Sequence, residues 1–234
     1  VTKLLLEGIA GSTAYGLSRP GSDLDYIGIY VEPTRNFLGL HPPSRERATR
    51  KGRGGADGTF HEIGKSMTLM LACNPHALEI LWLDNYTHST GFGWELIALR
   101  DCFLSAQNVR DRYFEYARGQ LKRLVNSGRF AGSLETRREK HARHTMRILW
   151  QGYELYTTGT LPIRVPAPEL LFEFGQRVAH DPDARAAETL IAEYEAKFDD
   201  ARTVLPAEPT EAPLEDLLQR IRRAHLEIAD GGRS

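Results

Sequence analysis

Cysteine is scarce in this chain: two in 234 residues, Cys73 and Cys102. Two thiols cannot build a disulfide framework or a four-cysteine zinc site, and so few fit a reducing cytosol. Nothing basic flanks both of them to favour thiolate, so they read as small core residues. Long apolar runs are missing as well; none approaches the roughly 20 residues that a membrane-spanning helix needs. The leucines at residues 4–6 are too few for the apolar core of a secretory signal. Net charge is nearly absent, with 30 Lys and Arg against 31 Asp and Glu. The whole molecule is therefore no generic polyanion binder. What is present is ordinary for a globular protein, 41% hydrophobic and 26% charged residues. The length predicts one or two domains with a sizeable core. A soluble, cytoplasmic protein is expected.

The neutral total hides two opposed blocks. Between Arg110 and Arg147 stand eleven Arg or Lys and four acids, a surplus of seven positive charges. Between Ile148 and Glu215 stand five basic residues and thirteen acids, a deficit of eight. One reading is a face built for anions. The plainer reading is two helical faces that pair with each other.

The first half alternates short apolar runs with Gly, Pro and Asp punctuation. Strands are predicted at residues 3–7, 24–31 and 59–63, with short helices at 13–17, 64–73, 75–83 and 91–99. Residues 41–58 read as a loop carrying Arg45, Arg47, Arg50, Lys51 and Arg53. The second half has long helical periodicity at 106–127 and 134–158, a short helix within 164–178, and helices at 182–201 and 214–229. The expected architecture is α+β, a small mixed sheet with flanking helices over residues 1–105 and an all-helical domain over 106–234.

Residues 8–25 read Gly-Ile-Ala-Gly-Ser-Thr-Ala-Tyr-Gly-Leu-Ser-Arg-Pro-Gly-Ser-Asp-Leu-Asp. Gly11-Ser12 sits where a strand becomes a helix, so backbone N–H groups and a hydroxyl form a phosphate cradle. Asp23 and Asp25, two apart at the start of a strand, project from one face. Carboxylates that close repel unless a cation lies between them, and hard divalent cations accept such ligands. Ser22 can hold the preceding turn by bonding local backbone. A P-loop is excluded, because no Gly-Lys-Ser/Thr follows the glycines. A Rossmann unit fits poorly too, because Pro20-Gly21 ends the helix after about one turn.

The pattern Gly-Ser-x-Ala-Tyr-Gly…Ser-Asp-x-Asp-x-x-Gly resembles the nucleotidyltransferase superfamily that includes DNA polymerase beta. Within it, the chain is similar to the stand-alone YcgL-like group and its RNA-repair-associated nucleotidyltransferase. Two further stretches carry the likeness, His61-Glu62-Ile63-Gly64-Lys65 leading to Asn74-Pro75 and Leu78-Glu79-Ile80-Leu81-Trp82, and Lys140-x-x-x-His144-x-x-Arg147 followed by Thr158-Gly159. The resemblance spans about residues 5–175. It implies transfer of a nucleoside monophosphate from an NTP to a hydroxyl acceptor, with two Mg²⁺ (or Mn²⁺) ions. Asp23 and Asp25 would hold the metals, and Gly11-Ser12 the outgoing diphosphate.

The family pattern asks for a third acid on a neighbouring strand, and Asp57 and Glu62 are both candidates. Strand parity sets them on opposite faces, Asp57 with Thr59 and His61, Glu62 with Phe60. A half-buried Phe60 face favours Asp57, whereas Glu62 stands at a strand–helix junction where site residues are common. Lys140, His144 and Arg147 share one helix face and could neutralise triphosphate charge. Lys65 could pair with Glu62 or reach a phosphate, and Arg19 lies in the turn between the two site elements. The basic loop could grip the phosphates of an RNA or DNA acceptor. Phe60, Trp82, Trp94 and Phe130 have core periodicity before they have the look of base-stacking groups. Transfer to a small molecule or a protein, or a non-catalytic nucleotide-binding, antitoxin-like module, are the competing functions.

Overall fold

A computed structural model describes residues 3–40, 48–51, 57–126, 134–181 and 183–226. The chain is α+β and divides into two compact units. One comprises residues 1–71, 76–103 and 209–234, the other residues 72–75 and 104–208. The long run of the second unit begins at residue 104. Residues from 209 onward belong with the sheet and not with the helical half, in contrast to the expected 106–234 domain.

The first unit is built on a five-stranded mixed sheet, β1 (Lys3–Ala10), β2 (Asp25–Val31), β3 (Ala48–Lys51), β4 (Asp57–Glu62) and β5 (Tyr86–Ser89), in the order β3-β4-β2-β1-β5. β1 is antiparallel to β2 and β5, and β4 is antiparallel to β3 but parallel to β2. β3 falls inside the segment expected to be a loop. It is a short edge strand of Ala-Thr-Arg-Lys, with no apolar alternation to announce it. β5 was equally silent, four polar-flanked residues on the other edge. Between β2 and β4 the Phe60 ring fills the space in which Gly28 would carry a Cβ, within 2.3 Å of that position. The glycine is therefore a packing requirement.

Helices α1 (Gly11–Tyr15), α2 (Ile63–Leu71), α3 (Pro75–Leu78), α4 (Gly91–Ala98) and α9 (Glu211–Ala224) complete this unit, apart from the first residue of α3. Thr90 caps α4, accepting from Gly93 N–H while its own N–H donates to Leu5 O on β1. α9 buries Leu214, Leu217 and Ile221, a stripe at helical spacing, and packs near α2 and α4. Arg220 of α9 bonds Glu95 of α4, and both atoms are well exposed.

The second unit contains α5 (Ala106–Asn126), α6 (Leu134–Thr158), α7 (Pro168–Ala179) and α8 (Arg185–Asp200). Phe114, Ala117 and Leu149 pack against Ile191, Tyr194 and Phe198, with Tyr153 and Tyr156 edge-on or tilted to Phe198. A second cluster joins Leu124 and Ala142 to Phe174, Val178, Ala184 and Ala187. The charge segregation resolves here into internal pairing. Arg110 bonds Asp199 and Arg118 bonds Glu195, joining α5 to α8, while Arg143 bonds Glu139 on its own helix. The plainer reading of the two charge blocks holds for these residues. Arg138 is buried and donates to three carbonyls, Leu124 O, Val178 O and Asp181 O. No helix among the described residues is long and apolar enough to cross a membrane.

Two stability predictions follow from this unit. Arg138→Met leaves those carbonyls buried without their donor and should cost about 3 kcal/mol, read by urea denaturation. His141 is the second case. Burial first, then the Arg123 and Lys140 charges, hold its imidazole pKa below the usual 6.5. The unfolded chain then binds the extra proton, so the His141 contribution is complete above pH 6.5 and is lost as pH falls through the folded value. His141→Gln should flatten the stability–pH curve below pH 6.5; an unchanged slope would refute the assignment.

Candidate active site

The site is assembled where β1 ends and β2 begins. The antiparallel register sets Ala10 opposite Asp25, and the chain leaves the sheet at Gly11. Gly11 has φ +64°, and a Cβ there would lie 2.1 Å from Asp25 Oδ2. Only glycine permits both the left-handed backbone and this approach. The carboxylate of Asp25 thus lies directly against the Gly11 backbone. Ser12 follows as the second residue of α1, a single turn that closes when Gly16 N–H donates to Thr13 O and Leu17 N–H to Ser12 O. Gly16 itself is left-handed at φ 73°, which ends the helix.

The loop back to β2 is held by Ser22. Arg19 N–H donates to Ser22 Oγ at 2.8 Å, and Ser22 N–H returns a bond to Arg19 O at 2.9 Å. Asp25 is the first residue of β2, half-buried, whereas Asp23 precedes the strand and is exposed. The pleat therefore orients Asp25 alone; the expectation that both acids share a strand face fails for Asp23, which stands in the turn.

The two candidate third acids are separated by topology. Parallel pairing sets Tyr26 against Gly58, so the backbone of Asp57 lies one step earlier, level with Asp25. The Asp57 side chain lies outside the described part. Glu62 pairs with Tyr30 at the other end of the ladder. Its carboxylate is taken by Arg222 of α9 in a bidentate bond, 2.5 Å and 2.9 Å, and also accepts from Gly64 N–H at 2.7 Å. Arg222 stacks over Phe37 as well, 4.5 Å from the ring centroid, and its carbonyl accepts from Thr34 Oγ1. This clasp was illegible in the sequence, since 160 residues separate its partners. Lys65 follows on α2, half-buried, and is not the partner of Glu62.

Lys140, His144 and Arg147 lie on α6 in the second unit. Lys140 is exposed, but Arg147 is only 2% exposed. Arg147 donates to Gln151 Oε1 at 2.6 Å and meets His144 Nδ1 at 3.0 Å, while Gln151 donates to Pro162 O. Arg147 thus anchors α6 to the connection after it. Phe60 and Trp82 are buried, and Trp94 is 53% exposed with its ring edge-on to Tyr86. Arg45, Arg47, Arg53 and Phe130 lie outside the described residues, and Arg50 and Lys51 are described only as β3 positions. Among the described residues, no group of three His, Cys, Asp or Glu is placed to hold a metal ion.

A family model described as the RNA repair pathway DNA polymerase beta family (RlaP) matches residues 1–204. No curated protein matches the chain.

The contact between Gly11 and Asp25 generates a comparison of two glycines. Gly21 also has positive φ, +86°, but nothing lies within 4 Å of its Cβ position. Gly21→Ala should cost only the backbone term, about 1–2 kcal/mol. Gly11→Ala should lower the thermal midpoint further, since a residue in a chain of this length shifts it by about 2–4 °C per kcal/mol. Equal midpoints in the two variants would show that the Asp25 carboxylate yields freely.

Proposed function

Because the chain belongs to the RNA repair pathway DNA polymerase beta family, we propose that it is a metal-dependent nucleotidyltransferase. It moves an NMP from an NTP to a hydroxyl acceptor, an RNA or other polynucleotide end, with release of diphosphate. The observation that carries the reading is the Asp25 carboxylate lying against Gly11, at the mouth of the Gly11–Ser12 turn. The turn offers backbone N–H groups and the Ser12 hydroxyl to phosphate oxygens, and a phosphate brought beside the Asp25 carboxylate requires a cation between the two like charges.

The donor set suits Mg²⁺ or Mn²⁺: hard carboxylate oxygens of Asp23 and Asp25, with Asp57 as the third acid. Register supports Asp57, whose backbone is level with Asp25, and the bond from Arg222 supports reading Glu62 as structural. When bound, the metal supplies charge neutralisation at the phosphates and acidifies the attacking hydroxyl. The residues of the chain do the remaining work. Gly11 N–H and Ser12 hold the β- and γ-phosphates through backbone and hydroxyl donors. The Arg19–Ser22 bonds fix the turn that leads into Asp23. The acceptor oxygen forms a bond to the α-phosphorus as the bond to the β-phosphate oxygen breaks, the acceptor's proton passes to water, and diphosphate leaves. Lys65 is retained as a phosphate contact. Arg147 is assigned to holding α6, with His144 beside it, on the strength of its burial and bonds.

Incubation with each labelled NTP, Mg²⁺ or Mn²⁺, and a pool of RNA and small molecules tests the reading. Label is expected in RNA, and Asp23→Ala or Asp25→Ala should reduce diphosphate release by at least about 100-fold. Label in a small product would move the acceptor to another class. A double variant that turns over NTP at the parental rate would overturn the site.

A further inference from the structure

We propose that Glu79 is a positioning residue for the transfer site, acting through Tyr15 to hold the Gly11–Ser12 turn against Asp25. The functional half of this statement rests on the nucleotidyltransferase reading above. α1 is five residues long, with no side-chain cap at its start and no acid or base in its end turns. One isolated turn does not hold itself, because helix nucleation is unfavourable. Its position has to come from outside. Tyr15 is the buried residue of the turn, and its phenol donates to Glu79 Oε2 at 2.6 Å across 64 residues.

Glu79 is 4% exposed, a carboxylate far too deep to tolerate without strong donors. Tyr15 is such a donor, and His76 Nδ1 faces the other oxygen at 3.4 Å. The segment that presents Glu79 is itself fixed. Tyr86 Oη donates to Ile80 O at 2.8 Å, Arg100 donates to Leu81 O, and Trp82 N–H closes the turn onto Glu79 O. Asn85 O, a few residues later, accepts from Ile9 N–H at the end of β1. The same segment therefore braces both β1 and α1 on either side of Gly11. Since Gly11 has no clearance to Asp25, movement of the turn transmits to the carboxylate.

Glu79 touches neither acceptor nor nucleotide in this scheme, so its loss should differ from that of a site acid. In Tyr15→Phe, the amides of Gly16 and Leu17, which close α1, should exchange about tenfold faster, the loss of one hydrogen bond. The kcat for NMP transfer should fall by about 100-fold, with KM for NTP moving less, as misplacement of reacting groups does. Glu79→Gln should show both effects in smaller measure, because its amide oxygen still accepts from the phenol but more weakly. If Tyr15→Phe does not fold, Glu79→Gln carries both readouts. Unchanged exchange at Gly16 and Leu17 in the variants would overturn the proposal, as would a lowered thermal midpoint with parental kcat in the folded enzyme. A parent that transfers no NMP would sink the nucleotidyltransferase reading instead, and exchange would still decide whether Glu79 holds the turn.

Discussion

The contact between a glycine without a side chain and a strand carboxylate is the constraint on which the first unit depends. β1 and β2 pair so that Ala10 faces Asp25, and the chain must then turn aside at once. Gly11 does so at φ +64° with Asp25 Oδ2 where its Cβ would be. Everything near it follows from that lack of slack. The turn is too short to be self-supporting, so Tyr15 is buried and bonded to Glu79. The return loop is short, so Ser22 closes it by two backbone bonds.

Charge tells a different story from the one its distribution along the chain suggests. Most of the described arginines of the basic stretch have internal duties. Arg110 and Arg118 tie α5 to α8, Arg143 pairs along α6, Arg138 satisfies three carbonyls, and Arg147 anchors the end of α6. The acidic stretch supplies the partners of Arg110 and Arg118 in α8. Exposed pairs of this kind contribute little stability each, and the two that reach α8 each set one positive charge of the block against a negative one. A surplus of seven positive charges in sequence is therefore a poor measure of what an incoming polyanion meets.

Local features were legible in the sequence and long-range ones were not. β1, β2 and the Gly11–Ser12 turn each depend on neighbours within a few residues, so pattern and turn chemistry suffice, whereas α1, expected over 13–17, runs from Gly11 to Tyr15 and ends at Gly16. β3 and β5 failed because a four-residue edge strand has no alternation to read. The strand expected from residue 24 begins at Asp25, which leaves Asp23 in the turn before it. α9 reads as an ordinary amphipathic helix, and nothing local says that it joins the sheet through Arg222 and Glu62. Glu79 reads as a buried or capping acid. Its connection to Tyr15 belongs to the tertiary structure alone.

Strand direction separates the two acids that parity could not. β4 runs parallel to β2, so its first residue, Asp57, stands at the end where β2 starts with Asp25. Glu62, five residues on, is carried about 16 Å away along the strand. Had β4 run antiparallel to β2, the same sequence would have brought Glu62 to the Asp25 end and sent Asp57 away. The parallel arrangement demands a long connection between β2 and β4, and its first part is where Thr34 and Phe37 meet α9. One arginine then closes the far end of the ladder by binding Glu62 and stacking on Phe37. The topology that sets one end of β4 level with Asp25 makes the other end available as an anchor for the last helix.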